Sequence, residues 1–249
     1  MTNGKKYPIA EIFCSPQGEG LYTGTLMTFI RFAGCSVGKK IAVPDRQEAA
    51  LLDPDFGKNV PLPIYTEKCC TYDGREFLCD TDFSTKRVLT TEEILAEVPK
   101  GVHHLCLTGG EPLDQPLEEF LSVVEGDTGL MVHIETSGTV DIHKRAWPKY
   151  TSSESLARDG GWIWLTVSPK RNVLPDMVFL ADEIKLLVDK DFDLDKVPPD
   201  VLDHELVFIQ PINHEFSLDR TNLDRCLELL KVRPAWRLST QMHKVWGVR

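Results

Sequence analysis

Residues 103–124 read HHLCLTGGEPLDQPLEEFLSVV, a short apolar run followed by two glycines, a proline and an amphipathic segment. The run at 103–108 is short and continuous, which is typical of a strand buried on both faces of a parallel sheet. Asp114 is placed to cap a helix with Pro116 in its first turn and an apolar face through 117–124. A buried strand, a glycine turn and a helix in this order predict one β/α unit.

Comparable apolar runs recur along the chain, at 26–33, 130–135, 162–167, 183–188 and 205–210. Helix signals lie between several of them, such as the capping box of Thr90 and Glu93 and the apolar spacing within 217–231. Alternating strands and helices predict an α/β fold, and about six units are too few to close an eight-unit barrel. We therefore expect an open, partial β/α barrel that forms a single domain over residues 1–249.

One long segment does not follow this alternation. Residues 36–78 carry prolines, glycines and charges without a clear period. A structureless connection of that length is uncommon inside a compact domain unless it serves a function. Because the segment lies between Cys35 and Cys79, we interpret it as a long loop insert that binds a metal cluster.

The charge balance argues against some classes of partner. The chain has 28 basic and 38 acidic residues and a net charge of −10. A broad grip on nucleic acid or on an anionic membrane needs a positive surface, so we expect neither partner. No apolar run reaches the length of about 18 residues that a membrane span needs, and the first residues do not resemble a signal peptide. The sequence thus predicts a cytoplasmic protein.

The seven cysteines divide into two groups. In a reducing compartment, a cysteine cluster indicates metal binding or catalysis rather than disulfides. Cys35, Cys69, Cys70 and Cys79 have polar surroundings, which favours ligation of an iron-sulfur cluster or of zinc. The other three are expected to be small buried hydrophobic residues: Cys14, Cys106 and Cys226.

Polar residues follow several of the predicted strands. Thr108 ends the run at 103–108 and Gly110 and Glu111 follow it, and comparable residues lie at the ends of the runs that finish at 135, 167 and 210. The carboxyl ends of parallel strands meet at one edge of a sheet, where ligands bind. The recurrence therefore predicts one pocket, to which these side chains contribute: Glu135, Ser137, Ser168, Lys170, Gln210 and Asn213.

Together, these motifs resemble the radical S-adenosylmethionine superfamily and, more narrowly, the 7-carboxy-7-deazaguanine synthase family. The resemblance is carried by EIFCSPQGEG (11–20), RFAGC (31–35), CDTDF (79–83), TGGEP (108–112), ETSGT (135–139), SPK (168–170) and QMHKVWGV (241–248). It implies a [4Fe-4S] cluster, S-adenosylmethionine and Mg²⁺ as cofactors. It also implies ring contraction of 6-carboxy-5,6,7,8-tetrahydropterin to 7-carboxy-7-deazaguanine with loss of ammonia, as in queuosine biosynthesis.

The resemblance also assigns roles by motif position. Cys35, Cys69 and Cys79 would hold the cluster, and Thr81 would bind Mg²⁺. The S-adenosylmethionine site would comprise Leu78, Asp80, Gly110, Glu111, Glu135, Ser137, Ser168, Pro169, Lys170, Gln210, Pro211, Ile212 and Asn213. The substrate site would comprise Pro16, Gln17, Gly18, Arg31, Thr108 and Arg249. Arg31 suits the substrate carboxylate, since a guanidinium binds carboxylates in a bidentate manner.

The chain departs from the superfamily pattern in its cysteine spacing. That pattern leaves three and then two residues between the cysteines, whereas 33 and nine residues separate them here. Cys69 and Cys70 are rivals for the middle position, and we favour Cys69. The role of Arg249 at the last position also stays open.

Other functions remain possible from the residues alone. A glycyl radical activase would share the superfamily chemistry but would need a face for a protein partner. A non-catalytic zinc-binding module would use the loop cysteines with a histidine, and metal content would discriminate it from an iron-sulfur protein. For the synthase, the resemblance implies a reducing partner such as flavodoxin or ferredoxin and a homodimer. The sequence does not identify the pathway that uses the product.

Overall fold

The computed structural model describes residues 4–43, 64–79, 81–82, 84–127, 129–142, 161–213 and 217–248, and for 39–43, 64–67, 78 and 126–127 only the backbone. In chain order, the strands are β1 (Lys6–Pro16), β2 (Leu26–Phe32), β3 (Lys39–Val43), β4 (Ile64–Cys70), β5 (Glu76–Cys79), β6 (Arg87–Thr90), β7 (His104–Gly109), β8 (Met131–Thr136), β9 (Ile163–Val167), β10 (Glu183–Val188), β11 (Val207–Pro211) and β12 (Arg237–Leu238).

Nine of the strands in the described ranges form one large sheet, in the order β12-β11-β10-β9-β8-β7-β2-β1-β6. From β2 through to β12, every neighbouring pair is parallel. The six strands expected from apolar runs are all present, because such runs bury both faces of a parallel strand. The sheet is open, with β6 and β12 at its two edges, so the predicted open α/β architecture is confirmed.

Three strands of this sheet were not predicted: β1, β6 and β12. β1 pairs antiparallel with both β2 and β6. Its sequence mixes buried and half-exposed positions without strict alternation, and its register shifts between Ile9 and Glu11. A strand with this irregular pattern gives little periodic signal, which is why its residues stood out only as a motif.

The helices of the described ranges are α1 (Thr91–Leu95), α2 (Glu118–Asp127), α3 (Pro175–Leu180), α4 (Pro199–Leu202), α5 (Arg220–Val232) and α6 (Met242–Trp246). The capping box of Thr90 and Glu93 is confirmed at α1. Asp114 does not cap a helix, contrary to the prediction. It ends a short 3-10 turn at Pro112–Asp114, and its carboxylate accepts hydrogen bonds from Ser36 N and Oγ at 2.7 and 2.8 Å. Pro116 lies between that turn and the start of α2.

The segment expected to be a structureless loop contains regular structure. β3, β4 and β5 form a separate three-stranded antiparallel sheet. These strands are short and show no sustained apolar alternation, so the sequence pattern gave no sign of their pairing. Residues 44–63 lie outside the described ranges, and the limits of the insert stay a prediction, as does the single domain.

A continuous apolar core lies between the large sheet and its helices. Cys106 on β7 and Cys226 on α5 are buried, as expected, but Cys14 on β1 is exposed and that prediction is wrong. Among the described helices, none has the length and apolar character required to cross a lipid bilayer.

Candidate active site

An open cavity of about 850 Å³ lies at the carboxyl edge of the large sheet. Most of the residues selected from the sequence line it: Pro16, Gln17, Gly18, Arg31, Cys35, Cys69, Cys79, Thr81, Thr108, Gly110, Glu135, Ser137, Ser168, Lys170, Gln210, Pro211, Ile212 and Asn213. Glu111 and Pro169 are described but do not line it. Asp80, Arg249 and the Leu78 side chain lie outside the described residues.

The hairpin of β4 and β5 presents two cysteines on one face. Cys79 pairs with Glu67, and Cys69 pairs with Phe77. Side chains alternate between faces along a strand, so Cys69 and Cys79 share a face as diagonal neighbours. By the same alternation, Cys70 belongs to the opposite face. Cys69 and Cys79 line the cavity together with Cys35, whereas Cys70 does not.

Burial opposes the ionisation of these thiols, whereas neighbouring N–H groups and a cation favour it. Burial raises the pKa of the Cys35 thiol, while the Gly38 N–H, 3.2 Å from Sγ, stabilises the thiolate. Burial also raises the pKa of Cys69, an effect opposed by the ammonium of Lys170. Hydrogen bonds and nearby cations favour the thiolate that metal ligation needs.

The two glycines after β7 allow close contact between this turn and the end of β2. Gly109 has φ of +138°, and a Cβ on it would collide with the backbone of Phe32. A Cβ on Gly110 would collide with the carbonyl oxygen of Gly34 and lie 2.5 Å from Cys35 Cβ. The glycine pair therefore sets the position of Cys35 at the cavity wall.

The Glu111 carboxylate points into the protein. It is fully buried and accepts hydrogen bonds from Leu113 N at 3.1 Å, Thr136 Oγ1 at 2.7 Å and Ser137 N at 2.9 Å, and from Ser137 Oγ. Burial raises its pKa, and these donors oppose the shift. The side chain ties the β7 turn to the end of β8.

Glu135 presents its carboxylate to the cavity from β8. Gln17 Nε2 donates to Oε1 and Thr108 Oγ1 donates to Oε2, each at 3.1 Å. Three residues from β7, β8 and the turn after β1 are thereby fixed relative to one another. All three line the cavity.

Arg31 on β2 contacts Thr81 at the cavity. Its Nη1 donates to Thr81 Oγ1 at 3.4 Å, and its Nε lies 3.8 Å from Glu11 Oε2. Both contacts are long, so the guanidinium retains capacity for a bidentate carboxylate.

Lys170 enters the cavity from the segment after β9. Its Nζ donates to Ser168 Oγ at 3.1 Å and lies 5.8 Å from the centroid of the Phe77 ring. Burial lowers its pKa, and the thiols of Cys69 and Cys79 oppose that shift. A buried cation beside two thiols favours a bound anion or an anionic cluster.

Curated relatives cover nearly the whole chain. The 7-carboxy-7-deazaguanine synthase of Bacteroides thetaiotaomicron is 31% identical over 246 residues, with 97% of this chain and 98% of the relative covered. The chain belongs to the 7-carboxy-7-deazaguanine synthase family.

Other comparisons agree with this assignment. The synthase of Escherichia coli K12 is 29% identical over 258 residues, covering 98% of this chain and 99% of the relative. The crystal structure of QueE from Escherichia coli superposes with a TM-score of 0.58 at 26% identity, covering 95% of this chain and 94% of that one. A scan against models of protein families gave no match. As a member of the 7-carboxy-7-deazaguanine synthase family, the chain is a radical S-adenosylmethionine enzyme.

The cysteines of this synthase family member fit the cluster that radical S-adenosylmethionine enzymes carry. In the described part of the chain, no three His, Cys, Asp or Glu side chains converge as the ligands of one metal ion do. A [4Fe-4S] cluster is broader, and each thiolate binds a different iron. Three thiols spread around one wall, with two on the same face of a hairpin, fit that requirement.

Sequence reasoning missed a buried ion pair at the floor of the cavity. Lys185 on β10 pairs with Glu19, and both line the cavity. Burial opposes the charged form of Lys185, but the carboxylates of Glu19 and Glu135 outweigh it and raise its pKa. Glu183 and Lys185 alternate within the otherwise apolar run EIKLLV, and that alternation was the available signal.

The C-terminal segment closes one side of the cavity. The backbone N–H of Met242 donates to Gly18 O at 3.0 Å, and a Cβ on Gly18 would collide with His243. Residues from this segment line the cavity: Gln241, His243, Lys244, Gly247 and Val248.

Proposed function

We propose that this chain converts 6-carboxy-5,6,7,8-tetrahydropterin to 7-carboxy-7-deazaguanine with release of ammonia. The observation that carries the proposal is the meeting of Cys35, Cys69, Cys79 and Arg31 around one cavity at the carboxyl edge of an open parallel sheet. Family membership supports the reaction class, and the convergence of these residues supports placing the reaction at this cavity. The glycyl radical activase and the zinc-binding module have no comparable support.

Cys35, Cys69 and Cys79 would hold the cluster, with Cys70 on the other face of the hairpin. When bound, the cluster and S-adenosylmethionine supply reductive cleavage of a sulfonium bond and a species able to abstract hydrogen from substrate. The chain itself must orient both ligands and exclude water. An open cavity lined by several strand ends is suited to hold two ligands side by side.

The S-adenosylmethionine side of the cavity would lie along the later strands. Ser168, Lys170, Gln210 and Asn213 come from the ends of β9 and β11, with Gly110, Glu135 and Ser137 beside them. Lys170 is a buried cation suited to a carboxylate. Because the Glu111 carboxylate already has four donors, its role would be to hold the turn that bears Gly110.

The pterin side would lie against β1, β2 and β7. Arg31 would bind the substrate carboxylate through its guanidinium. Glu135, on the S-adenosylmethionine side, accepts hydrogen bonds from Gln17 and Thr108 and so joins the two sides of the cavity. The side-chain amide of Gln17 can donate to and accept from the pterin ring, and the hydroxyl oxygen of Thr108 can accept from it.

A magnesium ion would bind at Thr81. Its hydroxyl is a hard oxygen donor, and Mg²⁺ takes its remaining ligands from water and substrate. Arg31 contacts this hydroxyl at 3.4 Å. A substrate carboxylate would draw the guanidinium away, so substrate and Mg²⁺ would bind together.

We also propose two partners by analogy with the family. A flavodoxin or ferredoxin would reduce the cluster, and two copies of the chain would form a homodimer. Sedimentation of the purified protein tests the second of these proposals.

The test is an anaerobic assay of the protein reconstituted with iron and sulfide. It is incubated with S-adenosylmethionine, dithionite, Mg²⁺ and 6-carboxytetrahydropterin, and the products are identified by mass spectrometry. We expect both 5′-deoxyadenosine and 7-carboxy-7-deazaguanine, and the loss of both in Cys35→Ala and Cys79→Ala. Deoxyadenosine alone would reject the substrate. Neither product from protein with a full, reducible cluster would reject the reaction.

A further inference from the structure

The hairpin of β4 and β5 carries two of the three proposed cluster ligands and lies far from Cys35 along the sequence. In the compact superfamily pattern, short spacing alone keeps the cysteines together. Here 33 residues separate Cys35 from Cys69. Closing a longer loop costs more chain entropy, so contacts elsewhere must hold the hairpin against the barrel.

Residues 71–75, which join β4 to β5, form an ordered turn. Thr71 N donates to Arg75 O at 2.9 Å, Gly74 N donates to Thr71 O at 3.0 Å and Arg75 N donates to Thr71 Oγ1 at 3.1 Å. Thr71 is 1% exposed, although hairpin tips are usually exposed to solvent. The tip is therefore packed against another part of the molecule.

The contact is made by Arg75. Its Nη1 forms an ion pair with Asp189, the residue directly after β10, and its Nε lies 2.8 Å from Asp73 Oδ2. Its guanidinium carbon lies 5.9 Å from the centroid of the buried Phe192 ring. Arg75 thus links Asp73 in the hairpin turn to Asp189 and Phe192, which follow β10 at the carboxyl edge of the large sheet.

A second contact comes from the segment after β9. Arg171 Nη2 donates to Gly74 O at 2.9 Å, and a Cβ on Gly74 would collide with the Arg171 side chain. Arg171 follows Lys170, whose Nζ lies over the Phe77 ring on the cysteine-bearing face of the hairpin. The hairpin is held at its tip by Arg75 and along its face by Lys170.

We propose that Arg75 is a positioning residue for the iron-sulfur cluster. Through Asp189 and Phe192 it fixes the hairpin so that Cys69 and Cys79 face Cys35. This inference rests on the proposed function only in taking these cysteines as the ligands. In this chain, the ion pair between Arg75 and Asp189 holds the cysteines together, as short spacing does in the superfamily pattern.

The test compares Arg75→Met with Arg233→Met in the full-length protein. Arg233 is a matched control because it also pairs with an aspartate, Asp203 at 3.3 Å, and lies 5.8 Å from an aromatic centroid, that of Trp236, but at the end of α5. Both variants are reconstituted identically. Iron release to a chelator and the electron paramagnetic resonance spectrum of the reduced cluster are then measured.

We expect Arg75→Met to release iron about 10-fold faster or more, the scale found when a residue supporting a metal ligand is lost. Its spectrum should shift, while Arg233→Met should match the parent protein in both measurements. The rate of iron release from Arg75→Lys should lie between those of Arg75→Met and the parent protein. Lysine keeps the positive charge but lacks the planar guanidinium that binds two acceptors at once. Parent-like iron release and spectrum in Arg75→Met would overturn the proposal.

Hydrogen exchange of the cluster-free full chain provides an independent measurement. In Arg75→Met and Asp189→Asn, faster exchange is expected in residues 69–79, with the amides of β7 and β8 unchanged. Equal acceleration throughout the barrel in both variants would contradict a specific anchor. Neither iron release nor exchange requires substrate, so failure to form 7-carboxy-7-deazaguanine would reject the proposed reaction and leave this inference standing.

Discussion

At the scale of single residues, the choice between Cys69 and Cys70 depends on strand alternation. Only Cys69 shares a face with Cys79 and lines the cavity. The sequence favoured Cys69 by its motif position, and the register supplies an independent physical reason. Two adjacent residues of a strand cannot both face the same cluster.

We expect Cys69→Ala to lose the reconstituted cluster and Cys70→Ala to retain it. The measurement is iron and sulfide per chain after anaerobic reconstitution, with the visible absorbance of the cluster. Cys226→Ala serves as the control, since that thiol is buried on α5. The reverse result for Cys69 and Cys70 would mean that the hairpin register differs when the cluster is bound.

His133 is a second residue whose behaviour follows from burial. Burial lowers its pKa to about 3, with a further contribution from His104, whose Nδ1 lies 2.9 Å from His133 Nε2. The unfolded chain has the ordinary value of about 6.5 and binds more protons between these two values. The stability that comes from keeping His133 neutral is therefore complete above pH 6.5 and is lost as the pH falls towards 3.

We expect the free energy of unfolding of the parent protein to fall by up to about 2 kcal/mol more than that of His133→Gln between pH 6.5 and pH 5. The measurement is urea denaturation at both pH values. Absolute stabilities will differ between the two proteins, so only the change with pH is compared. An equal change in both would show that His133 is not held neutral by the fold.

At the scale of elements, the turn after β7 packs directly on the end of β2. The sequence placed a glycine pair at a strand end, and the structure gives the reason. The backbone of Phe32 and Gly34 and the Cβ of Cys35 leave no space for a Cβ on these glycines. Such a contact joins residues far apart in sequence and cannot be read from local pattern.

Gly110→Ala is expected to displace Cys35 and to reduce the iron bound after reconstitution, with a cost of about 1–3 kcal/mol in stability from overpacking. Gly4→Ala is the matched control, since a Cβ there meets its first neighbour, Glu92 Oε2, only at 3.7 Å. Iron content and urea denaturation are measured on both. Full iron content in Gly110→Ala would contradict the proposed positioning of Cys35.

At the scale of the whole molecule, the first and last parts of the chain meet at the cavity. The turn at Gln17 and Gly18 contacts the segment 241–248, which lines one wall. The sequence showed both motifs but gave no indication that they touch. They come together only in the folded chain, where the segments that follow β1 and β12 both reach the cavity.

A chain that ends at Thr240 should keep its cluster but bind substrate more weakly. Loss of about one or two hydrogen bonds, worth about 1 kcal/mol each, corresponds to a rise in KM of roughly 5- to 30-fold. Iron content per chain is the control for folding. An unchanged KM would remove the segment from the substrate site, whereas loss of iron would assign it to the cluster.

The sequence by itself determined the alternating α/β architecture, the six buried parallel strands and many of the residues around the cavity, though not Lys185 or Glu19. In any parallel α/β sheet, apolar runs form strands that are buried on both faces, and polar residues at the carboxyl ends of those strands meet at one edge. The tertiary structure decided the register that separates Cys69 from Cys70, the inward turn of Glu111, the pairing of Lys185 with Glu19 and the anchoring of the hairpin by Arg75. These features depend on contacts between segments distant in sequence, and such contacts are fixed only when the whole chain packs.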